Sequence, residues 1–270
     1  KDGNYAYEYV ENDPLKTRIY TLDNGLKVYL SKNADEPRIL TLVPVRVGSK
    51  EDPRDNTGLA HYLEHMVFKG TSKIGTNDWA TEQKLLKQIS DLYEAHKKTD
   101  VPGEKLRIYK QIDSLSYVAS TFAISNEYDK MISSLGAKST NAYTSSDETV
   151  YINDIPANEL ERWLMVEAER FSQLVLRLFH TELETVYEEF NMGQDRDGTK
   201  VYQAMLKALF PKHPYNISTI GLGEHLKNHS MEAIHRFFDT YYVPNNMAVC
   251  LAGDLDYGTT IALVDKYLGK

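Results

Sequence analysis

Thr57-Gly-Leu-Ala-His61-Tyr-Leu-Glu64-His65-Met-Val-Phe-Lys-Gly70 is the stretch from which the rest of the chain can be read. Thr57 supplies a candidate N-cap and Gly70 stands just past the end, so the segment between them predicts a helix over about 57–68. Wound at ~100° per residue from His61, that helix puts Glu64 near ~300° and His65 near ~40°. Leu59, Ala60, Leu63, Met66 and Val67 fall between about 140° and 260° on the same wheel. The two imidazoles and the carboxylate therefore share one face, and the opposite face is apolar. Such a helix needs a core behind it and presents His, Glu and His to a cleft in front.

The core it needs is announced upstream. Arg18–Leu22 and Leu26–Leu30 alternate, and Asp23-Asn24-Gly25 between them is a hairpin signal, because Asn and Gly tolerate positive φ. Ile39–Val47 is a third strand, with Pro44 pointing to an edge or a bulge. Downstream, 82–99 and 104–122 carry helical patterns broken by Asp100-Val-Pro-Gly103, which predicts a helical hairpin. Leu85, Ile89 and Leu92 on one arm face Ile108, Ile112 and Leu115 on the other. Alternation returns at Ser139–Ser145 and Thr149–Ile155. A long amphipathic helix is expected over 157–178 and an acidic one from Thr181 to Leu209. Ser230 caps a further helix to about Tyr241, Met247–Ala252 reads as a buried strand, and a last helix runs into Leu268.

Strands in hairpins and helices in runs favour an α+β fold, an antiparallel-rich mixed sheet with helices packed mainly on one face. Residues 1–270 read as one domain with a helical hairpin inserted at about 80–130. The single cysteine, Cys250, excludes a disulfide scaffold. A net charge of −8 argues against a nucleic-acid partner. No apolar run reaches the ~18 residues of a membrane span.

Histidines at i and i+4 can reach one zinc ion at about 2.0–2.1 Å each, and a third protein ligand leaves the fourth corner for water. The ion lowers the pKa of that water to about 7, and a carboxylate on the same face can take its proton. His61 and His65 fit the ligand role and Glu64 that of the base. The third ligand must come from elsewhere; the acidic helix offers Glu182, Glu184, Glu188 and Glu189, with Glu182 and Glu189 seven apart on one face. Rival sites are poorer. His225 and His229 straddle the start of the Ser230 helix and read as surface residues. His96, His180, His213 and His235 stand alone, and Cys250 sits in an apolar run. No nucleophile elbow, paired-cysteine motif or dinucleotide fingerprint is present.

His-x-x-Glu-His is the inverted form of a zinc-peptidase motif. With Leu22–Gly25, Gly48–Asp52, Phe68–Thr71, Asn141–Ser145, Glu189, His213–Tyr215, Tyr241–Asn246 and Gly253-Asp254, the chain resembles the pitrilysin family, which includes insulin-degrading enzyme and the mitochondrial processing peptidases. The resemblance covers most of the chain outside 80–130. It implies a zinc endopeptidase with one Zn²⁺ held by His61, His65 and Glu189, with Glu64 as the base. Glu182 is then the second acid near the site, able to orient a ligand imidazole. The resemblance further implies that Asn141, Ala142 and Tyr143 form a strand at the cleft edge that pairs with substrate backbone, which favours extended or unfolded peptides. The inserted hairpin accounts for the separation of 124 positions from His65 to Glu189.

The family encloses substrate between two homologous halves, and a second copy of the pattern is absent here. The expectation is a fragment of a longer protease, or a chain that pairs with a partner subunit or with itself. The start at Lys1 rather than Met fits that expectation, and the hairpin fits an exported bacterial member. Two other readings are a non-catalytic zinc-binding or scaffold subunit and a zinc hydrolase of non-peptide substrates. The intact Glu64 argues against the first and the strand at 141–145 against the second.

Overall fold

Asn24 and Gly25 do what the hairpin signal requires. Gly25 has φ +88°, its N–H returns to the Leu22 carbonyl, and the Asn24 side chain accepts from the Leu26 N–H. The turn joins β1 (Arg18–Thr21) to β2 (Lys27–Lys32). The computed structural model describes residues 1–228 and 230–270. The further elements in order are β3 (Arg38–Val45), α1 (Leu59–Val67), α2 (Trp79–Lys98), α3 (Pro102–Ser120), α4 (Glu127–Ser134), β4 (Ser139–Thr144) and β5 (Thr149–Pro156). Then come α5 (Leu160–Ser172), α6 (Phe179–Gln194), α7 (Asp197–Leu209), α8 (Gly223–Leu226), α9 (Met231–Tyr241), β6 (Ala248–Gly253) and α10 (Tyr257–Leu268).

The strands form a six-stranded sheet in the order β1-β2-β6-β3-β5-β4. Among the described residues only β2 and β6 pair in parallel, and the other pairings are antiparallel. This is the antiparallel-rich mixed sheet that the alternation implied. Side chains of a strand alternate between faces, and burial here alternates with them. Val28 and Leu30, Ile39, Val43 and Val45, Tyr151 and Ile155, and Val249 and Leu251 are buried on one face. Leu40 on the other face remains 46% exposed. Helices cover the first face. The backs of α1 (Leu59, Tyr62, Leu63, Met66), α5 (Trp163, Leu164) and α10 (Ile261, Val264) are fully buried in one cluster with the strand residues. Each such side chain contributes about 1.5–3 kcal/mol, ample to hold α1 down by its apolar face.

Several local expectations change. Pro44 lies in an interior strand, not at an edge. Its missing N–H is tolerated because the β3–β6 ladder runs only from Ile39 to Leu42 before a single bridge at Val45 and Met247. The 157–178 helix is helical only as α5, after a short 3-10 turn, and the chain from 173 to 178 is not helical. The Thr181–Leu209 helix is two helices, α6 and α7, parted at Asp195-Arg196. The short α4 was not anticipated. The α2–α3 hairpin forms as expected, with Ile89, Ile108 and Ile112 buried. No helix among the described residues is long and apolar enough to cross a membrane. His229 lies outside the described residues.

Candidate metal centre and its surroundings

The front of α1 is fixed by a residue well before it. Gly58, with φ +84°, is the N-cap rather than Thr57, and a β carbon there would lie 2.4 Å from the Ile220 carbonyl oxygen. The Asp52 carboxylate accepts from the backbone N–H of Gly58 at 2.7 Å and of Ala60 at 2.9 Å, so it caps the helix across a loop. Thr57 has other work: its Oγ1 contacts His225 Nδ1 at 2.8 Å and accepts from the Leu222 N–H. His225 is therefore half-buried and engaged, not a free surface histidine.

The back of α1 sets the place of α6. The Tyr62 hydroxyl donates to the Phe179 carbonyl, and the two rings meet edge to face with centroids 5.0 Å apart. Leu178, just before α6, has φ +56°, a left-handed conformation that costs a non-glycine residue about 1–2 kcal/mol. Phe179, His180, Leu183 and Val186 are buried along α6, and Glu182 and Glu189 lie beside Val186 on the helical wheel.

This geometry brings His61, His65 and Glu189 together, with one ligand atom from each inside a 4.8 Å cluster. Glu189 Oε2 lies 3.9 Å from His61 Nε2 and 4.0 Å from His65 Nε2. A tetrahedral ion with bonds of 2.0–2.1 Å sets its donors about 3.4 Å apart. Glu189 is 46% exposed, which leaves its carboxylate room to turn toward the two imidazoles.

The electrostatics favour a cation. Burial, with His65 adding to it, pushes the His61 imidazole down to about 4, so it is neutral and a lone-pair donor near pH 7. Its Nδ1 is buried and has no hydrogen-bond partner among the described residues. His65 Nδ1 lies 2.8 Å from Glu182 Oε1. An ionised carboxylate only accepts, so Nδ1 carries a proton, and in the neutral ring the lone pair is then on Nε2, which faces the cluster. Burial lowers the His65 pKa, but the hydrogen bond to Glu182 and the charges of Glu64 and Glu189 outweigh it and raise it. For Glu182, burial pushes upward, and hydrogen bonds from His65 and from Lys69 Nζ at 2.6 Å win and hold it low.

Glu64 is buried beside the cluster, and the Thr144 hydroxyl donates to it. Burial raises its carboxyl above the ordinary value; Thr144 and His65 pull it down, and Glu189 pushes it up again. A base with a raised pKa is better matched to proton transfer near neutrality. Thr144 closes β4, which forms one edge of the sheet. Asn141, Ala142 and Tyr143 pair with Ile152, Tyr151 and Val150 on its inner side, and its outer side has no strand partner among the described residues. Glu184 and Glu188 stay outside the cluster. Thr144 and Lys69 were missed in the sequence. Lys69 is four residues after His65, just past the end of α1, and that spacing was the available signal.

The comparisons agree with one another. The model of the insulinase family, peptidase family M16, matches residues 27–90 and 112–222, and that of the M16 inactive domain matches 228–270. The unmatched 91–111 is the tip of the α2–α3 hairpin. An uncharacterised zinc protease of Bacillus subtilis, YmxG, is 23% identical over 253 residues, covering 93% of this chain and 49% of that protein. Insulin-degrading enzyme of Bos taurus is 27% identical over 254 residues, covering 89% of this chain and 20% of the enzyme. The periplasmic protease PqqL of Escherichia coli superposes with a TM-score of 0.72 at 21% identity, over 97% of this chain and 24% of that one. The chain thus spans about half of one relative and about a fifth of another. With the larger part of its length matched by one family model, on a pitrilysin-type fold, the chain belongs to the insulinase family of peptidases, M16.

Proposed function

We propose that this chain is the zinc-bearing part of a metalloendopeptidase that cleaves extended or unfolded peptides. The observation that carries the reading is the meeting of three parts at one place: the His61, His65 and Glu189 donors, the buried Glu64, and a strand edge joined to Glu64 through Thr144. Two imidazoles and a carboxylate suit Zn²⁺, and relatives are named zinc proteases. Bound there, zinc acidifies water and polarises a carbonyl. The chain's own residues do the rest. The open side of β4 holds a peptide by main-chain hydrogen bonds at Asn141–Tyr143, which needs an extended substrate and dictates little sequence. Thr144 fixes the Glu64 carboxylate toward the cluster. Glu64 accepts the proton of the attacking water and passes it to the leaving amine nitrogen. Glu182 keeps the His65 ring oriented.

The reading includes a second homologous half, a partner subunit or a second copy that closes over the peptide. The length relation to the relatives supports it. A non-catalytic scaffold subunit is the alternative, and it has no use for a buried, oriented Glu64. The test is zinc stoichiometry and cleavage of an unfolded peptide by the parent and by Glu64→Gln, each with the completing half supplied. One zinc per chain in both proteins is expected, with a loss of at least about 10²-fold in cleavage by E64Q, the lower range for a lost general base. Equal cleavage by the two proteins would refute the mechanism.

A further inference from the structure

The α2–α3 hairpin plays no part in the reading above, yet contacts from it run to the metal centre. Glu82, in the first turn of α2, is fully buried and grips Arg177, with Nε to Oε1 at 2.6 Å and Nη2 to Oε2 at 2.8 Å. The remaining Arg177 hydrogens go to the carbonyls of Lys69 at 2.8 Å, Thr71 at 3.0 Å and Ile74 at 3.0 Å, in the loop after α1. All five N–H groups of the guanidinium are used. Two glycines make its room: a β carbon would lie 3.0 Å from Nη1 at Gly70 and 2.6 Å at Gly75. Arg177 stands one residue before the left-handed Leu178 that precedes α6. Lys69 continues the path, because its Nζ meets Glu182, and Glu182 meets His65. A second tie from the hairpin to α6 is Tyr93, whose hydroxyl lies 2.7 Å from His180 Nδ1.

We propose that Glu82 and Arg177 are positioning residues for the metal centre, and that the α2–α3 hairpin is a brace fixing α6, with Glu189 and Glu182, against the end of α1. The proposal rests on the metal-centre reading. Stability alone does not explain the pair, because well-packed apolar side chains usually replace a buried ion pair at little or no loss. A planar fork that joins one carboxylate to three carbonyls fixes relative position, which apolar packing does not do.

The experiment measures zinc affinity by competition with a chromophoric chelator in the parent, Glu82→Gln, Lys69→Met and the double variant, with circular dichroism and thermal unfolding on each. Glu82→Gln and Lys69→Met should each weaken zinc about tenfold, the lower range for supporting residues. The double variant should lose less than the product, since both cut one path. If Glu82→Gln does not fold, Glu82→Leu with Arg177→Met takes its place, leaves no buried charge unpaired and carries the same expectation. A folded variant with a lowered melting temperature and parental zinc affinity overturns the brace, as does a double variant equal to the product of the singles. A parent that takes up no zinc overturns the metal reading itself, and the brace with it.

Discussion

Glu182 shows how one side chain can govern another's chemistry. It receives His65 Nδ1 and Lys69 Nζ, and both contacts hold its carboxyl low despite its burial. Glu182→Gln keeps the size of the side chain and removes the charge that selects the His65 tautomer. Zinc affinity should then fall about 10–100-fold with the fold intact, as read by chelator competition beside an unchanged circular dichroism spectrum. At this scale the sequence is readable where geometry is local. His61, Glu64 and His65 share a face because they lie at i, i+3 and i+4 on one helix. Glu189 was not separable from its acidic neighbours by spacing alone, since the approach of α6 to α1 is set by Tyr62, Phe179 and Arg177. Arg177 carried no signal at all, because its partners are one distant carboxylate and three backbone oxygens.

At the scale of elements, α1 depends on a cap that no helix rule would find. Asp52 lies outside the usual capping positions and still binds two N–H groups of the first turn. Asp52→Ala should destabilise the protein by about 1–2 kcal/mol, the upper half of the range for a lost cap, seen as a lower urea midpoint with an unchanged slope. Elements with strong patterns, such as the β1–β2 hairpin and the α2–α3 pair, were legible. The break between α6 and α7 was not. Gly193 and Gly198 flank it, but an isolated glycine is tolerated in a helix. The apolar residues of α7 continue the periodicity, although Val201, Met205 and Leu209 remain exposed. The α4 helix escaped notice because it buries only Tyr128 and Ile132, too few to show a period.

At the scale of the molecule, the sheet is closed on its helical face and open along β4. A peptide laid on that edge would have protein on one side only. The isolated chain should bind one zinc per molecule yet turn over a fluorogenic peptide weakly, and addition of the completing half should raise the rate. Strong turnover by the monomer alone would remove the need for a partner.

The hairpin leaves and rejoins the body at one point: Thr76 bridges Ala123, the Asn77 N–H reaches the Phe122 carbonyl, and the Ile124 N–H reaches the Gly75 carbonyl. By topology it is a cassette, since a tight turn could seal the neck and leave the remaining path unchanged. By charge it is not, because Glu82 lies inside the cassette and Arg177 outside it. Trimming the hairpin would strand a buried cation in the body, so a minimised version of this protein has to be redesigned at Arg177 as well as at the cut.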